Sequence, residues 1–358
     1  MIALTGATGQ LGHYVLQDLL NTVPASQIVA IVRNPAKAQA LSQQGVVVRQ
    51  ADYSDEAALT AALQGVDKLL LISSSEVGQR AVQHRNVINA AKAAGVKFIA
   101  YTSLLHADTS PLGLAAEHIE TEQMLADSGI AYALLRNGWY TENYLASAPP
   151  ALEHGVFIGA AGEGKIASAT RADYAAAAAR VIASEGHEGK IYELAGDNAW
   201  TLSDLAAELS KQSGKNVVYQ NLSEADFAAA LKSVGLPAGL ADMLADSDVG
   251  ASKGGLFDDS RTLSTLIGRP TTSLAESVKG ILYPPLSAFA VASRRFLSHI
   301  EGITVGRQAC RAYHSNLVMK KTARAFAISN SCPGWSFTTP IYPATPLNPI
   351  PTKPSASA

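Results

Sequence analysis

Short apolar runs alternate with stretches of helical spacing over the first 140 positions. Ile2–Thr5, Ile28–Val32, Val46–Arg49, Lys68–Ile72, Lys97–Thr102 and Ile130–Arg136 read as strands. Between them, Leu11–Asn21 places Leu11, Val15, Leu19 and Leu20 on one helical face. Ala36–Gln43, Asp55–Leu63, Val77–Ala94 and Leu114–Ser128 read as further helices, the last two closed by Gly95 and Gly129. The strands are apolar throughout, without in–out alternation, so both of their faces are covered. The pattern predicts an α/β fold: a Rossmann-type doubly wound parallel sheet with a ligand at the strand C-termini, where the strand order reverses.

Beyond residue 150 the alternation loosens. Helices are expected at Asp173–Ala183, Thr201–Ser213, Ser223–Val234, Leu240–Asp246 and Leu274–Leu282, with strands only at Ile191–Leu194 and Val217–Gln220. Thr201 and Asp204 form a capping-box variant. The reading is a doubly wound domain over 1–150 and a smaller α-rich C-terminal lobe over 151–279, completing the same unit above the ligand cleft.

Composition changes the picture at residue 280. After it stand eight basic residues against one acid, Glu301, together with both cysteines, Cys310 and Cys332, and nine of the sixteen prolines. Proline spacing from Pro333 onward forbids regular helix or central strand. Residues 280–358 therefore read as a basic, proline-rich, disordered tail: either an interaction segment, or an appendage foreign to the body, such as a shifted or read-through frame.

The whole chain has 358 residues, 47% hydrophobic and 16% charged, with net charge −2. That excludes a disordered chain and gives no support to a nucleic-acid or anionic-membrane partner. Two cysteines exclude a disulfide scaffold and a cysteine-rich metal site, so no metal is expected. No apolar run of about 20 residues is present, so no membrane-spanning helix is expected. No charged region precedes the first apolar run, which Gly6, Gly9 and Gly12 interrupt, so no signal peptide is expected and the reading is cytoplasmic.

The chemistry begins at Thr5-Gly6-Ala7-Thr8-Gly9-Gln10-Leu11-Gly12. Glycines at this spacing, on the first strand-to-helix turn of a βαβ unit, admit a pyrophosphate to the backbone and to the helix N-terminus. An NAD site wants an acid at the end of the second strand, and none lies between Asp18 and Asp52. Arg33 stands there instead, with Lys37 following, and a guanidinium suits a 2′-phosphate. The cofactor inferred is NADP(H). None of the twelve tyrosines has lysine four residues on; Tyr132 with Arg136 comes nearest. Without that acid–base pair, hydroxyl–carbonyl dehydrogenation and sugar epimerisation recede, and direct hydride transfer to a conjugated acceptor survives.

The body, over about residues 1–279, resembles the NmrA-like atypical short-chain dehydrogenases, and within them the bacterial quinone reductases. The resemblance rests on Thr5–Gly12, VRNPAKA at Val32–Ala38, LLISSSEVGQR at Leu70–Arg80, YTSLLHADT at Tyr101–Thr109 and LLRNGWYTENY at Leu135–Tyr144. It implies NADPH-dependent reduction of a small-molecule quinone, without flavin; a dinucleotide-binding redox sensor and a reductase of other conjugated acceptors such as triphenylmethane dyes are the alternatives. It implies that Gly6, Ala7, Thr8, Gly9, Gln10 and Leu11 hold pyrophosphate, Arg33 the 2′-phosphate, and Ser73, Ser74 and Ser75 the adenosine-to-ribose stretch. Asn137, Gly138, Trp139, Tyr140, Thr141, Glu142 and Asn143 would enclose the nicotinamide side, with Ala169 approaching from the second lobe. His118 occupies a position where relatives carry lysine, four residues before Glu122; His118, Tyr140 and Asn143 are the catalytic candidates, with weaker claims for Ser103 and His106. Trp139, Tyr140, Tyr144 and Phe157 are planar enough to stack a quinone ring. A homodimer is left open.

Overall fold

The computed structural model describes residues 1–284. The readings for the tail, including Cys310, Cys332 and the proline spacing, lie outside the described residues.

Chain order is β1 (Ile2–Leu4), α1 (Gln10–Leu20), β2 (Ile28–Val32), α2 (Gln39–Gln43), β3 (Val47–Gln50), α3 (Glu56–Ala62), β4 (Lys68–Leu71), α4 (Arg80–Ala94), β5 (Phe98–Leu104), α5 (Ala115–Ser128) and β6 (Ala131–Asn137). Then follow α6 (Thr141–Leu145), α7 (Ala148–His154), β7 (Val156–Gly159), α8 (Arg171–Ala183), β8 (Ile191–Leu194), α9 (Leu202–Ser213), β9 (Val218–Asn221), α10 (Glu224–Ser233), α11 (Ala238–Ser252), α12 (Thr262–Ile267) and α13 (Leu274–Leu282).

Seven parallel strands form the sheet in the order β3-β2-β1-β4-β5-β6-β8. Successive residues of a strand feed opposite faces, as the two-residue period requires. In β2, Ile28, Ala30 and Val32 join Leu4 and the helices α1, α8 and α12, whereas Val29 and Ile31 join Ala3, α3, α4 and α5. The order reverses between β1 and β4, which opens a crevice at their C-terminal ends.

The second half of the chain is divided between two places. Strand β8 pairs with β6 on the main sheet, and α8 packs on α1, so these parts of 151–279 complete the first body. The rest gathers around a separate core of Phe157, Ile166, Trp200, Leu205, Leu209 and Val278, where β7 and β9 form a two-stranded parallel sheet. The strand β7 and the short helices α6, α7 and α12 are further elements beyond those the apolar pattern predicts. The expected helix at Val77–Ala94 begins only at Arg80. Gly78 takes φ +84°, and the Glu117 carboxylate on α5 accepts the N–H groups of Gly78 and Arg80 at 2.9 and 3.2 Å. A neighbouring helix thus supplies the N-terminal cap that local sequence does not.

Candidate active site

The glycine turn after β1 is shaped by its own backbone. Gly6 has φ +60°, and the Gly9 N–H donates to the Gly6 carbonyl at 2.9 Å. A side chain at Gly12 would drive its Cβ into that same carbonyl oxygen and into the Ala7 backbone. The turn can therefore stay tight only with glycine, and α1 then starts behind Gly9 with no side-chain cap on its first N–H groups. Those donors and the helix dipole fit an anion.

A cleft of about 610 Å³ opens above this turn. Gly6, Thr8, Gly9, Gln10 and Leu11 form its floor, Arg33 and Lys37 line the side at the end of β2, and Ser73, Ser74, Ser75 and Glu76 line the side at the end of β4. Tyr140 and Arg171 complete the lining. Ala7 is buried in the turn and does not line the cleft. The residues present fit a dinucleotide: free helix N–H groups, a guanidinium and an ammonium at the β2 tip, and hydroxyls opposite them.

The loop after β6 reaches the cleft through Tyr140 and supports it with the rest. Tyr140 pairs with Ala169 as an isolated parallel bridge, in which the Thr141 N–H donates to the Ala169 carbonyl at 2.9 Å. The Thr141 hydroxyl meets Ser168, and the Gly138 N–H donates to Leu194. Arg171, at the start of α8, lies with its guanidinium carbon 4.5 Å from the Tyr140 ring centroid. It donates to Asn143 Oδ1 at 2.7 Å and sits near Glu142, which accepts the Arg171 backbone N–H. Asn143, Glu142, Thr141 and Ala169 thus brace Arg171 and Tyr140 and do not line the cleft. Asn137 Oδ1 is buried without a hydrogen-bond partner among the described residues. Burial raises the Tyr140 phenol above its ordinary range, so it stays protonated at neutral pH.

Several candidates lie elsewhere. His118 does not reach the cleft. It is buried in α5, its Nδ1 2.7 Å from the Tyr101 hydroxyl, and burial holds it well below the usual histidine range, uncharged at neutral pH. His118 is not among the residues that line the cleft. Ser103 donates to Glu122 beside Arg136, and His106 lies between Glu193 and Asp258. Tyr144 stacks edge-to-face on Trp200 at 5.2 Å, and Phe157 is buried in the same second core, on which Trp139 also packs. Of the four proposed ring-stacking residues, Tyr140 alone lines the cleft.

Sequence reading missed Tyr53, Glu76, Arg80 and Arg171 on the cleft. Arg171 had a signal: Thr170 and Asp173 form a helix start, with the Thr170 hydroxyl accepting the Asp173 N–H, which sets the first helical residue at 171. Arg80 had none. It serves the site by donating its Nε–H to the Ser74 carbonyl at 2.8 Å, six residues back across the turn that precedes α4.

A model of the NmrA-like family matches residues 1–277. Quinone oxidoreductase 2 of Escherichia coli (strain K12) is 87% identical over 278 residues, covering 78% of this chain and 97% of that one. The crystal structure of the NADPH-dependent quinone oxidoreductase of Escherichia coli complexed with NADPH superposes with TM-score 0.78 at 86% identity, over 79% of this chain and all of that one. The triphenylmethane reductase of Citrobacter sp. complexed with NADP(H) superposes with TM-score 0.74 at 44% identity, over 78% of this chain and 99% of that one. With relatives this similar along nearly their full lengths, the chain belongs to the NmrA-like family.

Proposed function

We propose that this protein is an NADPH-dependent quinone reductase that passes hydride directly to a quinone, without flavin or metal. The observation that carries the reading is the single cleft joining a glycine turn, Arg33 and Ser73–Ser75 to Tyr140. The 87% identity to quinone oxidoreductase 2 supports it.

The bound nicotinamide dinucleotide supplies a hydride to an electron-poor ring. The chain's work is to hold that pair in register. The uncapped first turn of α1 takes the pyrophosphate charge, Arg33 with Lys37 meets the 2′-phosphate, and Ser73–Ser75 line the ribose. Tyr140 closes the cleft with the Arg171 guanidinium over its ring, and its protonated hydroxyl is a hydrogen-bond donor for a quinone oxygen. Water supplies the proton that turns the reduced ring into hydroquinone, since neither His118 nor Asn143 lines the cleft. Few side chains are then indispensable, and rate depends on placement. The reading extends to a cytoplasmic protein acting on a small molecule. Among the described residues no helix is long and apolar enough to cross a membrane, and no group of three or more metal-ligating side chains gathers.

The test is steady-state oxidation of NADPH and of NADH with 1,4-benzoquinone and no added flavin. Turnover that favours NADPH is expected. Tight NADPH binding without turnover would overturn the reading and favour a redox sensor. A triphenylmethane dye belongs in the same assay, because a relative named for that activity is 44% identical.

A further inference from the structure

We infer that Glu76 is a specificity-determining residue that competes with the cofactor's 2′-phosphate for Arg33 and so narrows the preference for NADPH over NADH. The inference rests on the NADPH reading above. Arg33 follows β2 and Glu76 follows β4, and β1 lies between these two strands in the sheet. The Arg33 Nη1 to Glu76 Oε1 contact, 3.1 Å, therefore bridges the cleft over the glycine turn.

Glu76 is held in that position by its neighbours. Its Oε2 accepts from Gln83 Nε2 at 2.7 Å, and its backbone N–H donates to the Ser74 hydroxyl at 3.2 Å. The carboxylate thus stands where a group bound by Arg33 must arrive. A phosphate monoester brings a charge of about −1.5 to −2 to that guanidinium and meets the carboxylate as a like charge. It must either displace Glu76 from Nη1 or bind the remaining guanidinium donors with that carboxylate alongside, and both cost binding. A ribose 2′-hydroxyl faces no such conflict, because it is neutral and can donate to the carboxylate. Glu76 costs NADPH binding and spares NADH binding. The two side chains are 67% and 48% exposed, which sets the size of the effect. A solvated ion pair of this kind is worth a change of about two- to five-fold in a dissociation constant, smaller at high salt.

The experiment measures dissociation constants of NADPH and NADH by nicotinamide fluorescence, at low and high salt, for the wild type, Glu76→Gln, Arg33→Ala and the double variant. Glu76→Gln keeps an oxygen for Gln83 and removes the charge. It is expected to tighten NADPH about two- to five-fold, to leave NADH unchanged or weaker, and to have no such effect in the Arg33→Ala background. Equal shifts for both cofactors, or weaker NADPH binding, would overturn the inference while leaving the Arg33 reading intact. If Arg33→Ala weakens both cofactors alike, the 2′-phosphate reading itself fails, and the role of Glu76 falls with it.

Discussion

The Nε2 atom of His84 accepts the backbone N–H of Ser74 at 2.9 Å, in a buried contact between α4 and the cleft wall. Since a backbone N–H can only donate, the imidazole proton is on Nδ1 and points at the Thr121 hydroxyl, 2.9 Å away. That hydroxyl donates onward to the Glu117 carbonyl. Arg80 holds the Ser74 carbonyl from the other side. Ser74 is thus held at both its N–H and its carbonyl, in successive peptide groups of the cofactor wall, by side chains of one helix.

The clamp has a pH signature. Burial pushes the His84 pKa down to about 3, against 6.5 unfolded. Between those values the unfolded chain binds a proton that the folded one refuses, so stability falls as pH drops from about 6.5 toward 3. His84→Gln, which retains an acceptor for Ser74, should flatten this acid-side slope in thermal unfolding across pH 4–7. His84→Ala leaves the Ser74 N–H unpaired, at a cost of about 1–3 kcal/mol, and should raise the NADPH KM more than it lowers kcat.

Arg33→Ala should raise the KM for NADPH at least about tenfold, the scale of a lost charged hydrogen bond, and change the NADH value little. Steady-state kinetics with both cofactors reads the difference. Equal effects would reject a 2′-phosphate role for Arg33.

Arg136 is the buried hub of a charge cluster whose Asp108 carboxylate is exposed. Its guanidinium is within 3.0 Å of Glu122, Glu193 and Asp108, with its side chain 7% exposed. Arg136→Met strands Glu122 and Glu193 without a counter-charge and should cost about 3–5 kcal/mol in denaturant unfolding. A loss under 1 kcal/mol would show that the carboxylates find water or protons instead.

Asp248 behaves oppositely to His84. Buried on α11, and relieved among the described residues by the Ala160 N–H at 2.8 Å, its carboxyl is pushed up to about 6. The folded chain holds the proton that the unfolded one loses near 4, so stability falls as pH rises through about 4 to 6. Asp248→Asn should stabilise the protein above pH 6, with the gain vanishing toward pH 4, as followed by thermal unfolding.

Gly12→Ala tests the turn. Its added Cβ meets the Gly6 and Ala7 backbone, not a movable side chain, and should cost about 1–3 kcal/mol with a loss of NADPH affinity. Binding unchanged by titration would place the pyrophosphate elsewhere.

The sequence by itself determined the parallel sheet, because runs such as Ile28–Val32 are apolar on both faces and only a doubly covered strand tolerates that. It determined the glycine turn and the cation at Arg33 for the same kind of reason: the constraint is local, within a few residues of one strand end. It located the loop at 137–143 by resemblance, but could not say that Tyr140 alone would face the cleft while Asn143 turned to Arg171. Nor could it separate His118, at home in a buried contact with Tyr101, from a residue open to substrate. Glu76 against Arg33, and His84 against Ser74, were likewise beyond it. The strands that bring the first pair together are set side by side around β1 by the crossover, and the buried hydrogen bond of the second forms only once α4 is packed. Burial and charge at those positions belong to the packed chain, so tertiary structure alone decided them.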